Sequence, residues 1–273
     1  PKLNAFIAVY AEEAMQQAKI ATRQIARNEY KGKLHGVPIA IKDNIYFKNK
    51  VTTMGSKIHG NFVSDFDATS VVKLRESGAI FLGKTNMHEY ALGATTDNPH
   101  FGTCRNPWHL GKIPGGSSGG SAAAVSAFLA YGALGTDTSG SIRVPAAACG
   151  LVGLKATYGR VSKYGCFPEA WTLDHIGPIT RTVKDSAIIF DAISGRDRND
   201  PTCLDLAGTK LSKKIDGNIT NLTIGIEEDF FFKFTDTEVE KQVRASIAKL
   251  KKLGAKIKFL PKTTTTGQVT TRT

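Results

Sequence analysis

An α/β layered fold is the class that this sequence predicts. Short apolar runs of strand-like composition alternate with longer amphipathic segments, and this alternation is typical of a sheet covered by helices. The 273 residues are 41% hydrophobic and 22% charged, an ordinary globular composition with enough chain for a substantial core. There is no internal repeat, and we expect one domain over residues 1–273.

The first part of the chain supplies two pairs of helix and strand. Apolar residues at helical spacing predict an amphipathic helix over residues 8–30. A short apolar run bounded by glycine and asparagine predicts a buried strand within residues 34–44, and a lysine, Lys42, stands at its end. The pattern then predicts a helix over residues 68–77 and a strand over residues 79–82.

Glycine and proline punctuate the middle of the chain. Residues 98–116 contain three prolines and four glycines, which predicts a loop. A helix of small side chains is predicted over residues 118–130, followed by a strand over residues 132–136. We expect a short apolar helix over residues 144–150 and another buried segment over residues 151–154.

The final part of the chain predicts one helix and then a strand, a helix and a strand. The first helix spans residues 183–193. The later elements span residues 222–226, 237–253 and 256–260, and we expect them to continue the same sheet. Residues 263–273 are rich in threonine and have no apolar pattern, so we expect them to be poorly ordered.

The net charge of +12 is spread along the chain, since residues 203–273 carry a net +5 and the rest carries +7. No basic stripe interleaved with aromatic residues is present, so we do not expect direct binding of nucleic acid. No apolar run approaches the 18 or so residues that a membrane-spanning helix needs. We therefore expect a soluble protein without a membrane partner.

The four cysteines, Cys104, Cys149, Cys166 and Cys203, stand far apart and form no C-x-x-C pair. This spacing argues against a structural zinc site and against a dense disulfide framework. A reducing, cytoplasmic location fits this use of cysteine best.

Two clusters of glycine and serine dominate residues 114–143, and an Ala-rich apolar run lies between them. The first cluster, residues 115–121, has four glycines and three serines, and the second spans residues 138–143. Glycine lets backbone N–H groups approach a ligand, and serine supplies hydroxyl groups. The pattern is typical of a small reaction site lined by backbone.

Ser141 is the candidate nucleophile because it lies in a glycine-containing turn directly before a predicted helix. The backbone N–H groups of Thr138, Ser139, Gly140 and Ser141 can converge on one oxygen, as an oxyanion hole requires. We call residues 138–141 the nucleophile turn.

Lys42 is the candidate base, because no histidine stands in a helpful motif. A lysine at the inner end of a buried strand loses solvation of its charged form, which lowers its pKa from about 10.4 towards neutrality. A neutral amine accepts a proton, and Ser117 or Ser118 is placed to relay one between Lys42 and Ser141.

Three segments resemble the amidase signature family, whose members hydrolyse carboxamide C–N bonds. They are GVPIAIKDN around Lys42, PGGSSGGSAAAV around Ser117 and GTDTSGSIRVPAAACGLVGLKATYGRVS around Ser141, all in the family's order. The resemblance implies a mixed central sheet with helices on both faces. It also implies a triad of Ser141 as acyl nucleophile, Ser117 after a cis peptide bond and Lys42 as general base.

The resemblance further implies a small amide substrate and no metal or organic cofactor. Two features depart from the family. Ser139 stands where the family often has glycine, and the chain stops well before family members do, so we expect a domain incomplete at its C-terminus. The oligomeric state is not predicted.

Side chains near the turn have expected supporting roles. Asp137 and Arg143 are expected to pair and fix the loop, with substrate contact as the second possibility, and Ser118 to support the first loop. His88 and His175 are interpreted as hydrogen-bonded structural residues, because no other ligand stands at metal spacing to them.

Two alternatives stay open. The glutaminase subunit of the glutamyl-tRNA amidotransferase shares these motifs and releases ammonia from glutamine inside a complex, so the other subunits of such a complex are possible partners here. Val144 and His175 stand where that subunit tends to have glutamine, which favours a stand-alone amidase. The other alternative is a phosphate-binding or nucleotide-binding module, but the chain has neither a G-x-x-x-x-G-K-[ST] loop nor a G-x-G-x-x-G dinucleotide fingerprint.

Overall fold

The computed structural model describes residues 2–208, 210–215 and 217–261. The chain divides into two compact units, Pro1–Ile215 and Asp216–Thr273. The expectation that residues 1–273 form one domain stays a prediction. Residues 263–273, which we expect to be poorly ordered, lie outside the described residues.

The described part of the first unit contains five α-helices and eight strands. The helices are α1 (Ala11–Ala26), α2 (Thr69–Glu76), α3 (Gly119–Ser126), α4 (Arg143–Ala148) and α5 (Val183–Ile193). The strands are β1 (Phe6–Val9), β2 (Pro38–Lys42), β3 (Ile80–Thr85), β4 (Asp97–Asn98), β5 (Gly102–Thr103), β6 (Gly132–Asp137), β7 (Val152–Gly153) and β8 (His175–Thr180).

Six strands form one mixed sheet in the order β1-β3-β2-β6-β8-β7. The three central neighbours β3, β2 and β6 run parallel, whereas β1, β8 and β7 pair antiparallel with their neighbours. β4 and β5 form a separate antiparallel pair. The mixed sheet confirms the predicted fold class.

Helices cover both faces of this sheet. Successive side chains of a strand point to opposite faces, so neighbouring residues of β2 show which helices pack on each face. Ile39 and Ile41 of β2 join a core cluster that includes Leu74 of α2 and Phe190 of α5. The residue between them, Ala40, packs in a different cluster with Val125 of α3. The layering predicted from the sequence is therefore present in the first unit.

Small residues let α3 lie close to its neighbours. A Cβ atom added to Gly120 would lie 2.3 Å from the carbonyl oxygen of Asn86, and one added to Gly135 of β6 would lie 2.8 Å from Ser118 Oγ. Real Cβ atoms do not approach so closely, so glycine is needed at both positions. Part of the glycine content therefore serves packing, not approach to a ligand.

Two strands of the mixed sheet are absent from the sequence prediction. β1 occupies the start of the helix expected over residues 8–30, and α1 begins only at Ala11 and ends at Ala26. β8 contains Gly177 and Pro178, which argue against a strand. Pro178 is tolerated because Leu154, the residue after β7, donates to its carbonyl oxygen at 3.1 Å, a bond that needs no N–H from the proline.

Two other predictions are corrected. Residues 151–154 are half-buried, not buried, because β7 is an edge strand. In the second unit β9 (Thr223–Ile226) and β10 (Lys256–Phe259) form their own two-stranded parallel sheet, so the prediction that they continue the first sheet is wrong. The two strands flank a crossover helix and pair directly with each other.

The remaining helices of the second unit are α6 (Glu228–Phe232) and α7 (Thr237–Lys252). The longest helices in the described part of the chain, α1 and α7, have 16 residues each. No helix there is long and apolar enough to cross a membrane.

The core position of Ile39 gives a stability prediction. Ile39 is fully buried, whereas Ile20 of α1 is 48% exposed. Ile39→Ala is expected to lower the free energy of unfolding by about 2–5 kcal/mol, because it removes buried methyl groups and leaves a cavity. Urea denaturation measures this difference.

Ile20→Ala is the matched control, and its effect is expected to stay within about 0.5 kcal/mol. Equal losses in the two variants would contradict the assignment of Ile39 to the core.

Candidate active site

The predicted site residues meet at one edge of the sheet. β2 ends at Lys42 and β6 ends at Asp137, and the loop that carries Ser117 leads into α3. Because β2 and β6 are parallel neighbours, their carboxyl ends lie at the same edge. Sites in α/β sheets commonly form at this edge.

The amine of Lys42 reaches Ser117. Lys42 Nζ lies 2.7 Å from Ser117 Oγ and 2.6 Å from Thr136 Oγ1. The side chains of Lys42 and Ser117 are fully buried. Both partners of the amine are therefore neutral hydroxyl groups held away from water.

Burial lowers the pKa of Lys42 to about 8. The main cause is desolvation, which disfavours the charged ammonium form. Acidic groups nearby, including Glu169 and Asp137, act in the opposite direction but do not cancel it. The amine therefore exchanges its proton close to neutral pH.

Ser117 follows a cis peptide bond, Gly116-Ser117. Its carbonyl oxygen accepts a hydrogen bond from the backbone N–H of His88 at 3.1 Å and one from Thr96 Oγ1 at 3.4 Å. His88 thus holds the loop through its backbone, and its ring lies 3.2 Å from Thr95 Oγ1.

The two serine-rich loops contact each other through Ser118 and Ser141. The backbone N–H of Ser118 donates to the carbonyl oxygen of Ser141 at 3.2 Å. Ser118 Oγ also donates to the carbonyl oxygen of Thr136 at 3.1 Å and accepts from its N–H at 3.2 Å. Ser118 therefore ties both loops to β6.

Asp137 and Arg143 form the expected pair across the nucleophile turn. Arg143 donates from Nε and Nη2 to the two carboxylate oxygens of Asp137, each at 3.0 Å. Asp137 also accepts from the backbone N–H of Ile142 at 3.1 Å. Although burial opposes it, these hydrogen bonds hold the pKa of Asp137 below its usual range. The turn is thus fastened at both ends.

The backbone N–H groups of the nucleophile turn are the donors that the sequence predicts for an oxyanion hole. Within the described part of the chain, those of Ser139, Gly140 and Ser141 have no protein acceptor. Ser141 itself is 7% exposed. Unpaired donors beside a nearly buried hydroxyl group are what an oxyanion hole requires.

Sequence reasoning missed a second buried lysine behind Lys42. Lys84 of β3 is fully buried and lies 3.3 Å from an Asp43 carboxylate oxygen. It also donates to the carbonyl oxygen of Ile45 at 2.7 Å and to Thr52 Oγ1 at 3.0 Å. It therefore fixes the chain just after Lys42.

Thr136 and Asn44 were also missed. Asn44 Nδ2 donates to Thr136 Oγ1 at 3.2 Å, the same oxygen that accepts from Lys42. The pairing of β6 with β2 indicates Thr136 as a site residue, because Thr136 lies one residue before the end of β6, next to the strand that carries Lys42. That pairing was not derivable from either strand alone.

Metal-binding geometry is not present in the described residues, which contain no group of three or more His, Cys, Asp or Glu side chains placed to hold an ion. His175 directs Nδ1 at the carbonyl oxygen of Leu173 (2.7 Å) and Nε2 at Lys155 Nζ (3.4 Å). Its contacts fit the structural interpretation.

The family model described as "Amidase" matches residues 1–264. The chain belongs to the amidase family. The match covers both serine-rich loops and Lys42, so the site described above lies inside the shared region.

Curated and solved relatives agree with this membership. The chain is 46% identical over 255 residues to the A subunit of a glutamyl-tRNA(Gln) amidotransferase from Geotalea daltonii, and the aligned region covers 93% of this chain and 52% of the relative. The crystal structure of the protein of the same name from Thermotoga maritima matches with TM-score 0.81 and 40% identity over 92% of this chain and 59% of that chain.

The native peptide amidase from Stenotrophomonas maltophilia matches with TM-score 0.86 and 35% identity over 94% of this chain and 54% of that chain. The amidase-family chain thus spans about half the length of the curated relatives it matches.

The lowered pKa of Lys42 predicts how the stability of this amidase-family chain changes with pH. Between about pH 8 and pH 10 the unfolded chain binds more protons at this lysine than the folded chain does. The lysine's contribution to stability therefore rises with pH in this window and falls as the pH is lowered.

Lys42→Met keeps the length of the side chain and removes the titration. Urea denaturation at several pH values is expected to show the wild type gaining stability relative to Lys42→Met as the pH rises from about 8 to about 10. A difference that is constant across this window would contradict the lowered pKa.

Proposed function

We propose that this chain carries the active site of an amidohydrolase that cleaves a carboxamide C–N bond through a serine acyl-enzyme. The observation that carries the proposal is the 2.7 Å contact between Lys42 Nζ and Ser117 Oγ in a fully buried position. Membership in the amidase family and the likeness to a peptide amidase support it.

In the first half of the reaction Ser141 Oγ attacks the amide carbonyl carbon. The proton of Ser141 passes to Ser117 while the proton of Ser117 passes to the neutral amine of Lys42. The negative charge that develops on the substrate oxygen is stabilised by the free N–H groups of the nucleophile turn, residues 138–141.

In the second half the C–N bond breaks, and the leaving nitrogen takes a proton from Lys42 through Ser117. Water then attacks the ester of Ser141, with the same relay removing its proton, and the carboxylic acid is released. Each proton that Lys42 accepts is returned, so the steps balance without a metal or an organic cofactor.

The pKa of about 8 suits this double role of Lys42. An unperturbed lysine, with a pKa of about 10.4, would be almost wholly protonated at neutral pH and would be a poor base. With the lower value, the amine both accepts and returns a proton near neutral pH.

The phosphate-binding alternative is disfavoured by the start of α3. Its N–H groups are already used, since those of Ser118, Gly119 and Gly120 donate to Ser141 O, Thr96 Oγ1 and Asn86 O. A phosphate cradle needs such donors free.

The second candidate function is the glutaminase subunit of an amidotransferase. It is favoured by relatives of 44–47% identity that carry the name of the A subunit of glutamyl-tRNA(Gln) amidotransferase. Partner subunits would then be needed for activity.

We favour the stand-alone amidase because of Val144 and His175. Val144 directly follows Arg143, and a Cβ atom on Gly140 would lie 3.0 Å from its Cγ2 atom. His175 pairs with Asp137 across the sheet. Val144 and His175 thus both adjoin the nucleophile turn, where their side chains affect which amide substrate the site binds.

Covalent labelling by a fluorophosphonate tests the catalytic proposal. In the full-length protein, the probe is expected to modify Ser141. Ser141→Ala is expected to abolish the adduct in intact-mass spectra. Lys42→Ala is expected to slow labelling by at least about 100-fold, because proton removal from the nucleophile is lost.

Ser126→Ala is the matched control, since Ser126 is a buried serine of α3 that donates to the carbonyl oxygen of Cys149 at 3.0 Å. Its labelling rate is expected to equal that of the wild type. An adduct that persists in Ser141→Ala would overturn the assignment of the nucleophile.

An amide panel distinguishes the two candidate functions. The protein is expected to hydrolyse aliphatic or aromatic primary amides without added subunits. Replacing both Val144 and His175 by glutamine is expected to change the ratio of glutamine to panel turnover by at least about 10-fold, because specificity contacts are worth about 1–3 kcal/mol.

Val183→Gln, at an exposed position of α5, is the control substitution and is expected to leave the ratio unchanged. Turnover of glutamine alone, and only after the other amidotransferase subunits are added, would favour the second candidate.

A further inference from the structure

The nucleophile turn begins where the pairing of two strands ends. β6 and β8 run antiparallel, and the last backbone pair at this end is Asp137 with His175. Thr138 directly follows Asp137, and Asp174 directly precedes His175. In an antiparallel pair, these two residues face each other at the next position outward. Their side chains are joined there, since Thr138 Oγ1 donates to Asp174 Oδ1 at 2.6 Å.

The Asp174 carboxylate is also bound by its own loop, residues 167–174, which we call the Asp174 loop. The backbone N–H of Glu169 donates to Asp174 Oδ2 at 2.9 Å. The backbone N–H of Ala170 donates to both carboxylate oxygens at 3.0 Å. The loop thus fixes the position of the carboxylate, and the bond to Thr138 transmits that position to the nucleophile turn.

The Asp174 loop is attached to other parts of the site as well. The backbone N–H of Phe167 donates to the carbonyl oxygen of Asn44 at 2.9 Å, two residues after Lys42. Lys163, which is only 8% exposed, donates from Nζ to the carbonyl oxygen of Trp171. The Asp174 loop therefore connects the end of the strand that carries Lys42 with the nucleophile turn.

The bond between Thr138 and Asp174 holds the turn from inside. Asp137 and Arg143 fasten the residues on either side of the turn, whereas Thr138 is its first residue. Threonine is β-branched and its χ1 angle is restricted, so holding Oγ1 also limits the orientation of the Thr138 backbone. An oxyanion hole needs that orientation, because its donors must lie about 2.7–3.1 Å from the charged oxygen.

We propose that Asp174 is a positioning residue for the reaction, which acts through Thr138 to direct the backbone N–H groups of the nucleophile turn at the substrate oxygen. This inference rests on the proposed function. The role is geometric, so removing the hydroxyl group of Thr138 is expected to have the same effect as removing the carboxylate of Asp174.

Steady-state hydrolysis by the full-length protein tests this inference, with the amide of the panel that the wild type cleaves fastest. Thr138→Val removes the hydroxyl group at constant size, and Asp174→Ala removes the carboxylate. Each is expected to lower kcat by at least about 10-fold, part of the roughly 100-fold or larger loss that follows removal of a whole oxyanion donor. KM is expected to change by less than about 3-fold, because the lost interaction is made in the transition state.

Two further variants separate positioning from other roles. Thr138→Ser keeps the hydroxyl group and is expected to restore most of the wild-type kcat. The double variant Thr138→Val/Asp174→Ala is expected to lose no more than Asp174→Ala alone, because both changes remove the same hydrogen bond. The pH profile of Thr138→Val is expected to keep the wild-type midpoint, since no charge is changed.

Thr182→Val is the matched control. Thr182 Oγ1 donates to Asp185 Oδ2 at 2.7 Å, the same kind of bond at the start of α5. Its kcat is expected to equal that of the wild type. Complete fluorophosphonate labelling of Ser141 shows that the site of each variant is folded. If Asp174→Ala does not fold, Thr138→Val and Thr138→Ser test the inference on their own.

Wild-type kcat in a labelled Thr138→Val protein would overturn the positioning role and leave the proposed function standing. A loss in Asp174→Ala that Thr138→Val does not share would do the same. A wild-type protein that is neither labelled nor hydrolyses any amide would overturn the proposed function and this inference with it.

Discussion

The placement of the Lys42 amine beside Ser117, out of contact with water, is the constraint on which the rest of the site depends. Burying a lysine is costly unless its charge is paired or its proton is given up. Here the amine has only the hydroxyl groups of Ser117 and Thr136 within hydrogen-bond reach in the described residues. The parallel pairing of β2 with β6 brings these groups together, and the tight packing of α3 places the serine loop over them.

Comparison with Lys84 shows how the partners of a buried lysine affect its charged form. Both lysines are fully buried, and burial lowers the pKa of each. Lys84, however, lies beside the Asp43 carboxylate and two backbone carbonyl oxygens, which favour its charged form. Lys42 has only hydroxyl partners among the residues that the structure describes. The same side chain, one residue apart in the register of neighbouring strands, thus has a carboxylate partner in one case and only hydroxyl partners in the other.

Residue patterns predicted much of this arrangement. The alternation of apolar runs predicted the helices α2, α3, α5 and α7 to within a few residues, and the glycine and serine clusters led to Ser117 and Ser141. What the patterns missed depends on tertiary pairing. β8 carries a proline whose carbonyl oxygen accepts from Leu154, the residue after β7, and Thr136 joins the site only through the pairing of two strands. Single-segment patterns contain neither fact.

Titration of Lys42 by NMR is the most direct test of the central claim. With lysine side chains labelled at ¹³Cε, and the Lys42 signal assigned by its loss in Lys42→Met, the chemical shift reports the protonation of the amine. The account predicts a midpoint at about pH 8. A midpoint near the unperturbed value of about 10.4 would contradict it, because the neutral form of the amine that accepts the proton of Ser117 would then be roughly 250-fold scarcer at neutral pH.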